Sequence, residues 1–322
     1  MTTSRAPLPQ SKGASASGQQ KAVAEAQRIA AKLTAAVALH QQGRLAQARL
    51  LYTEILQAQP RHFDALQLLA TIAVQQKNPS EALVLFEHAL KINPDNAIVL
   101  SNQASALLNL GRYEDALQSC DRALKSRPDY AEALSNRGNA LWAMNRAAEA
   151  LLSYDRALEI KPDYPEALSS RGAALRTLGR PLEALQSYDR ALQLRPTYAD
   201  ALNNQGAALQ DLQHPAEALA SYARAQSVQP VYADAHMNEA LCRLMLGEFE
   251  LGWQKYEWRW KKEPGLSMAR NFAQPLWLGK ERLEGKTILL HAEQGLGDTI
   301  QFCRYAKQVA ALGARVVLEV QP

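Results

Sequence analysis

Five polar side chains recur at a fixed spacing of 34 residues: Asn102, Asn136, Ser170, Asn204 and Asn238. A carboxamide offers two N–H donors and an acceptor oxygen, so it can pair with both faces of a peptide unit whatever side chain that unit carries. A row of such groups would hold an extended chain by its backbone. The same column begins with Thr34 and Leu68. A second cluster with chemical potential is Gly295-Leu-Gly297-Asp298, where Gly295 and Gly297 permit close approach to the backbone beside a carboxylate. As a dinucleotide fingerprint, G-x-G-x-x-G, it fails at its third glycine, where Ile300 stands. Glu319, a lone acid near the place of a ribose ligand, is too little to carry that reading, and no cofactor is expected.

Other chemistries find less support. Cys120, Cys242 and Cys303 are odd in number and far apart, with no C-x-x-C spacing, so neither a disulfide framework nor a redox pair is expected and a reducing cytoplasm is the simplest home. The six histidines are scattered, and no zinc-type spacing is present. The net charge of +4 resides in the region from Trp253 onward, with 11 Lys and Arg against 7 Asp and Glu. The rest lacks a basic stripe interleaved with stacking aromatics, which argues against nucleic acid. No run approaches the ~20 apolar residues of a membrane span. Residues 1–20, rich in Ser, Ala, Gly and Pro without an apolar core, read as a disordered lead-in.

What positions the asparagine column is a repeat. Pro60, Pro94, Pro128, Pro162, Pro196, Pro230 and Pro264 stand 34 residues apart. Calling them position 32, the units begin at Ile29, Phe63, Ala97, Ala131, Pro165, Ala199 and Ala233. Position 8 is always Ala or Gly (Gly138, Gly172 and Gly206 among them), and position 20 is Ala until Gly252. Position 24 is Tyr or Phe except for Cys120, so small residues face large ones between two closely packed helices. Glycines at Gly43, Gly111, Gly179 and Gly247 mark the turn within a unit, and the proline ends its second helix.

These columns resemble the tetratricopeptide repeat family from about residue 29 to Pro264. The resemblance implies an all-α, right-handed superhelix of seven helix pairs, whose first helices line a concave wall with position 6 pointing into the groove. The asparagine column is then similar to the ladder in the repeat domain of O-linked N-acetylglucosamine transferases. It implies extended peptide segments of partner proteins as ligands. Position 2 carries Asp64, Glu132, Glu166, Asp200 and Asp234, which read either as an acidic rim selecting basic partners or as carboxylates favouring each helix N-terminus.

Beyond the repeats, Leu251 to Trp260 holds three of the five tryptophans, suggesting a terminal helix with a covered outer face. Lys286–Ala292 and Ala314–Val320 read as parallel strands flanking a helix from Thr299 to about Leu312, with Asp298 as its N-cap. Such a βαβ unit cannot cover its own sheet, so the chain is expected to be truncated or to descend from a longer gene. The Gly-Asp turn resembles that of the heptosyltransferases and related glycosyltransferases with two Rossmann-like domains. That likeness implies Asp298 as general base, with Gly295 and Gly297 admitting a sugar, though Thr-Ile-Gln follows where those enzymes usually carry Leu-Pro. The whole layout is similar to bacterial proteins that join tetratricopeptide repeats to a glycosyltransferase-like domain, which implies a sugar nucleotide in the full-length form and no turnover by this chain alone. The expected organisation is therefore a tail (1–20), a repeat superhelix (21–264), a linker (265–285) and the first, incomplete βαβ of a Rossmann-like domain (286–322). The expected function is a peptide-binding scaffold that recruits substrates for such an enzyme, or alternatively a stand-alone adaptor.

Overall fold

The computed structural model describes residues 16–261, 270, 272–292 and 295–320. The chain divides into two units, Met1–Pro230 and Val231–Pro322. The first unit holds six helix pairs: α1 (Ala16–Gln41) with α2 (Leu45–Ala58), α3 (Phe63–Gln75) with α4 (Pro79–Ile92), α5 (Ala97–Asn109) with α6 (Tyr113–Ser126), α7 (Ala131–Ala143) with α8 (Ala147–Ile160), α9 (Pro165–Thr177) with α10 (Pro181–Leu194), and α11 (Ala199–Asp211) with α12 (Pro215–Val228). Each helix packs on the next, and α3, α5, α7, α9 and α11 also touch one another in order. The all-α repeat class expected from the sequence is the one observed. Helix α1 begins at Ala16, so the last five residues of the expected disordered lead-in are helical.

Every second helix of this unit stops two residues before its proline, at Ala58, Ile92, Ser126, Ile160, Leu194 and Val228. The intervening residue is extended, with φ between −142° and −131° at Arg127 and Asn93 and their equivalents, because a following proline disfavours helical backbone. Inside each unit the small and large columns meet. A Cβ added to Gly138 would lie 2.4 Å from the Tyr154 ring, one on Gly172 2.6 Å from Tyr188, and one on Gly206 2.5 Å from Tyr222. Those tyrosines, Phe86, Tyr52 and Cys120 are buried, as is the alanine of position 20 in all six pairs.

The second unit starts with α13 (Ala233–Met245) and the shorter α14 (Phe249–Tyr256), which runs into a 3-10 turn at Glu257–Lys261. Pro264, the seventh proline, lies outside the described residues, as does most of the first half of the expected linker. Trp258 stacks on His236 at 3.7 Å, whereas Trp253 is exposed. Then come β1 (Thr287–His291), α15 (Leu296–Phe302), a 3-10 turn at Cys303–Tyr305, α16 (Ala306–Ala311) and β2 (Arg315–Glu319). The strands pair in parallel, Thr287 with Arg315 through His291 with Glu319. The crossover helix starts three residues earlier than expected and is broken at Cys303, so Asp298 lies within its first turn and Gly295 holds the N-cap position.

The tight turn inside each pair uses left-handed backbone at position 15. Gly43, Gly111, Gly179 and Gly247 have φ of 71–77°, and Lys77, Asn145 and Gln213 adopt 58–62° at the same place. Only glycine takes this region without steric cost. Replacing Gln213 with Gly should raise unfolding stability by about 0.5–1 kcal/mol, and Gly179→Gln should lower it by a similar amount. Urea melts of the two variants, followed by circular dichroism, check the opposite signs.

Candidate functional site

Along α3, α5, α7, α9 and α11, positions 2, 6, 9 and 13 share one stripe of helix surface, and position 12 lies beside 9. Asn102, Asn136, Ser170 and Asn204 fall on four consecutive, mutually touching helices, all half-buried. Asn238 occupies the equivalent place on α13 in the second unit. The structure thus brings four of the five candidate rungs onto one wall.

The rungs also serve the wall itself. The Asn136 amide donates to the Ser101 carbonyl oxygen at 3.1 Å and to its Oγ at 3.2 Å, tying α7 to α5. Asn204 Oδ1 accepts from Asn203 Nδ2 at 3.4 Å. Ser170 hydrogen-bonds the Tyr154 hydroxyl, which donates to Asn139 Oδ1 at 2.7 Å. Burial pushes the Tyr154 phenol up, so it acts as a neutral donor. The Tyr154 ring therefore passes between α7 and α8 and brings its hydroxyl to Asn139 and Ser170 of the first helices. In the next repeat Ala173 replaces Asn139, and the buried Tyr188 hydroxyl has no hydrogen-bond partner among the described residues.

In its middle repeats the acidic column is paired and not an open rim. Lys161 Nζ donates to Glu132 Oε1 at 3.0 Å and Arg195 to Glu166 Oε1 at 2.5 Å, within one repeat in each case. Burial raises the Glu132 carboxyl, but the Lys161 hydrogen bond and charge outweigh it and hold it below its ordinary value. Those same cations cover tyrosines at the repeat junctions, Lys161 over Tyr164 and Arg195 over Tyr198, as Arg127 does over Tyr130. The three phenols, raised by burial, hydrogen-bond Ser101, Ser135 and Ser169 of the preceding first helix. These junction tyrosines were not singled out from the sequence, although their 34-residue spacing was there to be read.

A further feature missed in the sequence is position 12, which reads Val74, Leu108 and Trp142 on α3, α5 and α7, then Arg176 and Gln210. Trp142 is 44% exposed, and its indole N–H donates to Thr177 Oγ1 of the next repeat at 3.3 Å. Arg176 likewise reaches Asp211 at 2.7 Å.

Cys120 packs in the core, and burial drives its thiol up to about 12, which rules it out as a thiolate nucleophile near neutral pH. In the second unit Gly295, Gly297 and Asp298 are exposed together at the carboxyl end of β1. Glu319 is held by Arg270 at 2.7 Å. Among the described residues, no helix is long and apolar enough to cross a membrane.

Family models described as tetratricopeptide repeat match residues 39–105, 101–165, 165–198 and 203–256. No curated protein matches the chain. Among solved structures, a tetratricopeptide repeat protein from Parabacteroides merdae ATCC 43184 is 20% identical, with a TM-score of 0.59 over 76% of this chain and 94% of its own. Pseudomonas aeruginosa pilF is 21% identical, with a TM-score of 0.57 over 66% of this chain and 97% of its own. A thermophilic tetratricopeptide repeat protein of Thermus thermophilus is 25% identical, with a TM-score of 0.51 over 56% of this chain and 99% of its own.

The two tyrosines separate bonded from orphaned hydroxyls in one column. Tyr154→Phe should lower stability by about 0.5–1.5 kcal/mol, whereas Tyr188→Phe should leave it unchanged or raise it by up to ~1 kcal/mol. Denaturant midpoints of the pair decide; equal losses would mean that the Tyr188 hydroxyl is satisfied in solution.

Proposed function

The chain belongs to the tetratricopeptide repeat family, and on that premise we propose that the wall formed by α3, α5, α7, α9 and α11 binds an extended peptide segment of a partner protein. The observation that carries this reading is the row of half-buried polar side chains at position 6 on four touching helices. A carboxamide in that setting has spare hydrogen-bonding capacity partly shielded from water, where a bond to a peptide group is stronger than on an open surface. Asn102 makes no side-chain hydrogen bond among the described residues. Asn204 uses its oxygen within the wall, and its N–H groups remain for a ligand carbonyl. Backbone contacts of this kind give affinity with little dependence on ligand sequence.

Replacing Asn102 and Asn204 together with Ala should weaken binding of an extended peptide by about 1 kcal/mol or more for each lost pair of hydrogen bonds. Asn136 is left intact because its amide is committed to Ser101. Calorimetric titration of wild type and double variant against one peptide reads this out, and equal affinities would dismiss the ladder.

The finer reading is that the wall recruits acceptors for a glycosyltransferase-like protein, with Asp298 as base beside Gly295 and Gly297. Its support is the parallel strand pair with this turn at the carboxyl end of β1, where ligands of open α/β sheets bind. The alternative is a stand-alone adaptor. Sugar transfer from a sugar nucleotide to a bound peptide, measured on the native protein, distinguishes them. Transfer that disappears on Asp298→Asn supports the first, and transfer that survives the substitution removes Asp298 as the base.

A further inference from the structure

We propose that the cleft between α4, α5 and α6 takes an arginine side chain of a partner protein, its guanidinium seated beside Glu87 and Ser119 where the next two repeats seat one of their own. The site shares no residue with the position 6 wall and does not depend on the peptide-binding reading.

The repeat supplies its own comparison. Position 7 is Arg137 on α7 and Arg171 on α9. Each bonds the position 25 acid of the preceding repeat and the position 23 serine of its own. Arg137 reaches Asp121 and Ser153, both at 2.8 Å, and Arg171 reaches Asp155 at 2.6 Å and Ser187 at 2.7 Å. On α5 position 7 is Gln103, while the two acceptors are kept as Glu87 and Ser119. A cleft of about 180 Å³ lies there, lined by these three together with Arg112, Asp115 and Arg122.

Gln103 does not replace the missing guanidinium. Its Oε1 stands 3.2 Å from Ser119 Oγ, but it makes no hydrogen bond to Glu87 among the described residues. On α11 Gln205 does bond both Asp189 and Ser221, so a glutamine can close this junction and Gln103 leaves it open. Of the acids Glu87, Asp121, Asp155 and Asp189, Glu87 alone has no side-chain hydrogen bond or ion pair among the described residues. Ser119 donates to the Asp115 carbonyl at 3.0 Å, as Ser153 does to Glu149 and Ser187 to Glu183, so its oxygen faces the cleft as theirs face the arginines.

An entering guanidinium meets a carboxylate, a hydroxyl oxygen and the Gln103 carbonyl oxygen, and its planar fork of donors serves several acceptors at once. A lysine ammonium lacks that fork and is more strongly hydrated. Two cations flank the cleft. Arg112 is paired with Asp115 at 2.6 Å, and Arg122 donates to the Pro94 carbonyl at 2.9 Å. The filled sites carry the same two, Arg146 with Arg156 and Arg180 with Arg190, so these charges do not bar a guanidinium. Glu87, Arg112 and Arg122 are exposed, which leaves the cleft open to solvent. Its volume falls below the ~300 Å³ at which small-molecule sites begin, and suits one side chain presented by a protein.

The test titrates Nα-acetyl-arginine N-methylamide into the full chain and follows backbone amides by two-dimensional NMR. Signals of Glu87, Gln103 and Ser119 should shift saturably, with a Kd on the order of a millimolar. The neutral citrulline analogue should not bind, and the lysine analogue should bind more weakly. Glu87→Gln, at an exposed position, should keep the fold and weaken binding about tenfold. Gln103→Arg gives α5 the residue that α7 carries; it should leave the urea midpoint unchanged or raise it, and should abolish the shifts. No saturable shift in the wild type, equal binding of either analogue, or affinity untouched by Glu87→Gln overturns the proposal, as does binding that survives Gln103→Arg.

Discussion

In three of the five pairs that build the wall, everything rests on one steric contact, the ring at position 24 pressed against a residue without a side chain at position 8. With Gly138, Gly172 and Gly206 the ring atoms come to 2.4–2.6 Å from where a Cβ would stand, so each ring seats directly on the backbone of the facing helix, in space a side chain would fill. This places a phenol across the pair and delivers its hydroxyl to the first-helix wall, where the Tyr154 oxygen meets Asn139 and Ser170. In the first two pairs Ala36 and Ala70 stand opposite Tyr52 and Phe86, so the contact tolerates one carbon there. The difference suits a wall whose polar rungs concentrate in the later repeats.

Stacking of one pair on the next is set by a second, polar lattice. Arg137 bonds Asp121 of the preceding repeat at 2.8 Å and Ser153 of its own at 2.8 Å; Arg171 does the same with Asp155 and Ser187. Gln205 keeps the pattern without charge, donating to Asp189 and accepting from Ser221. Each ion pair here is partly exposed and contributes little by itself. Their worth is geometric: a planar guanidinium bonded to both repeats fixes the angle between them, and that angle fixes how far apart successive first helices lie. Arg156–Asp129 and Arg190–Asp163 repeat the device on the second helices.

The repeat boundaries, the small and large columns and the location of Asn102, Asn136, Ser170 and Asn204 were legible because each is a property of one residue type at one period. What was not legible is partnership. The acids Glu132 and Glu166 read as a rim until the chain brought Lys161 and Arg195 across from the end of the second helix. The left-handed turns at Lys77 and Gln213 lack glycine, so tertiary packing imposes a conformation their sequence does not favour. The break at Cys303 and the earlier start of α15 reflect a short helix whose ends are weakly specified.

A wall of this kind divides affinity from selectivity. Carboxamides that bond peptide groups give every extended segment some hold, and by themselves cannot distinguish one partner from another. Selectivity must come from side chains that differ between repeats, and position 12 is one place where the unit varies, from Val74 through Trp142 to Arg176. A residue there is free to vary because positions 8, 20 and 24 already close the helix pair, and because its own ring or guanidinium is steadied by position 13 of the following repeat, as Trp142 is by Thr177 and Arg176 by Asp211. The architecture therefore separates a constant, buried register from a variable surface, on which side chains such as the Trp142 indole and the Arg176 guanidinium are held by the following repeat.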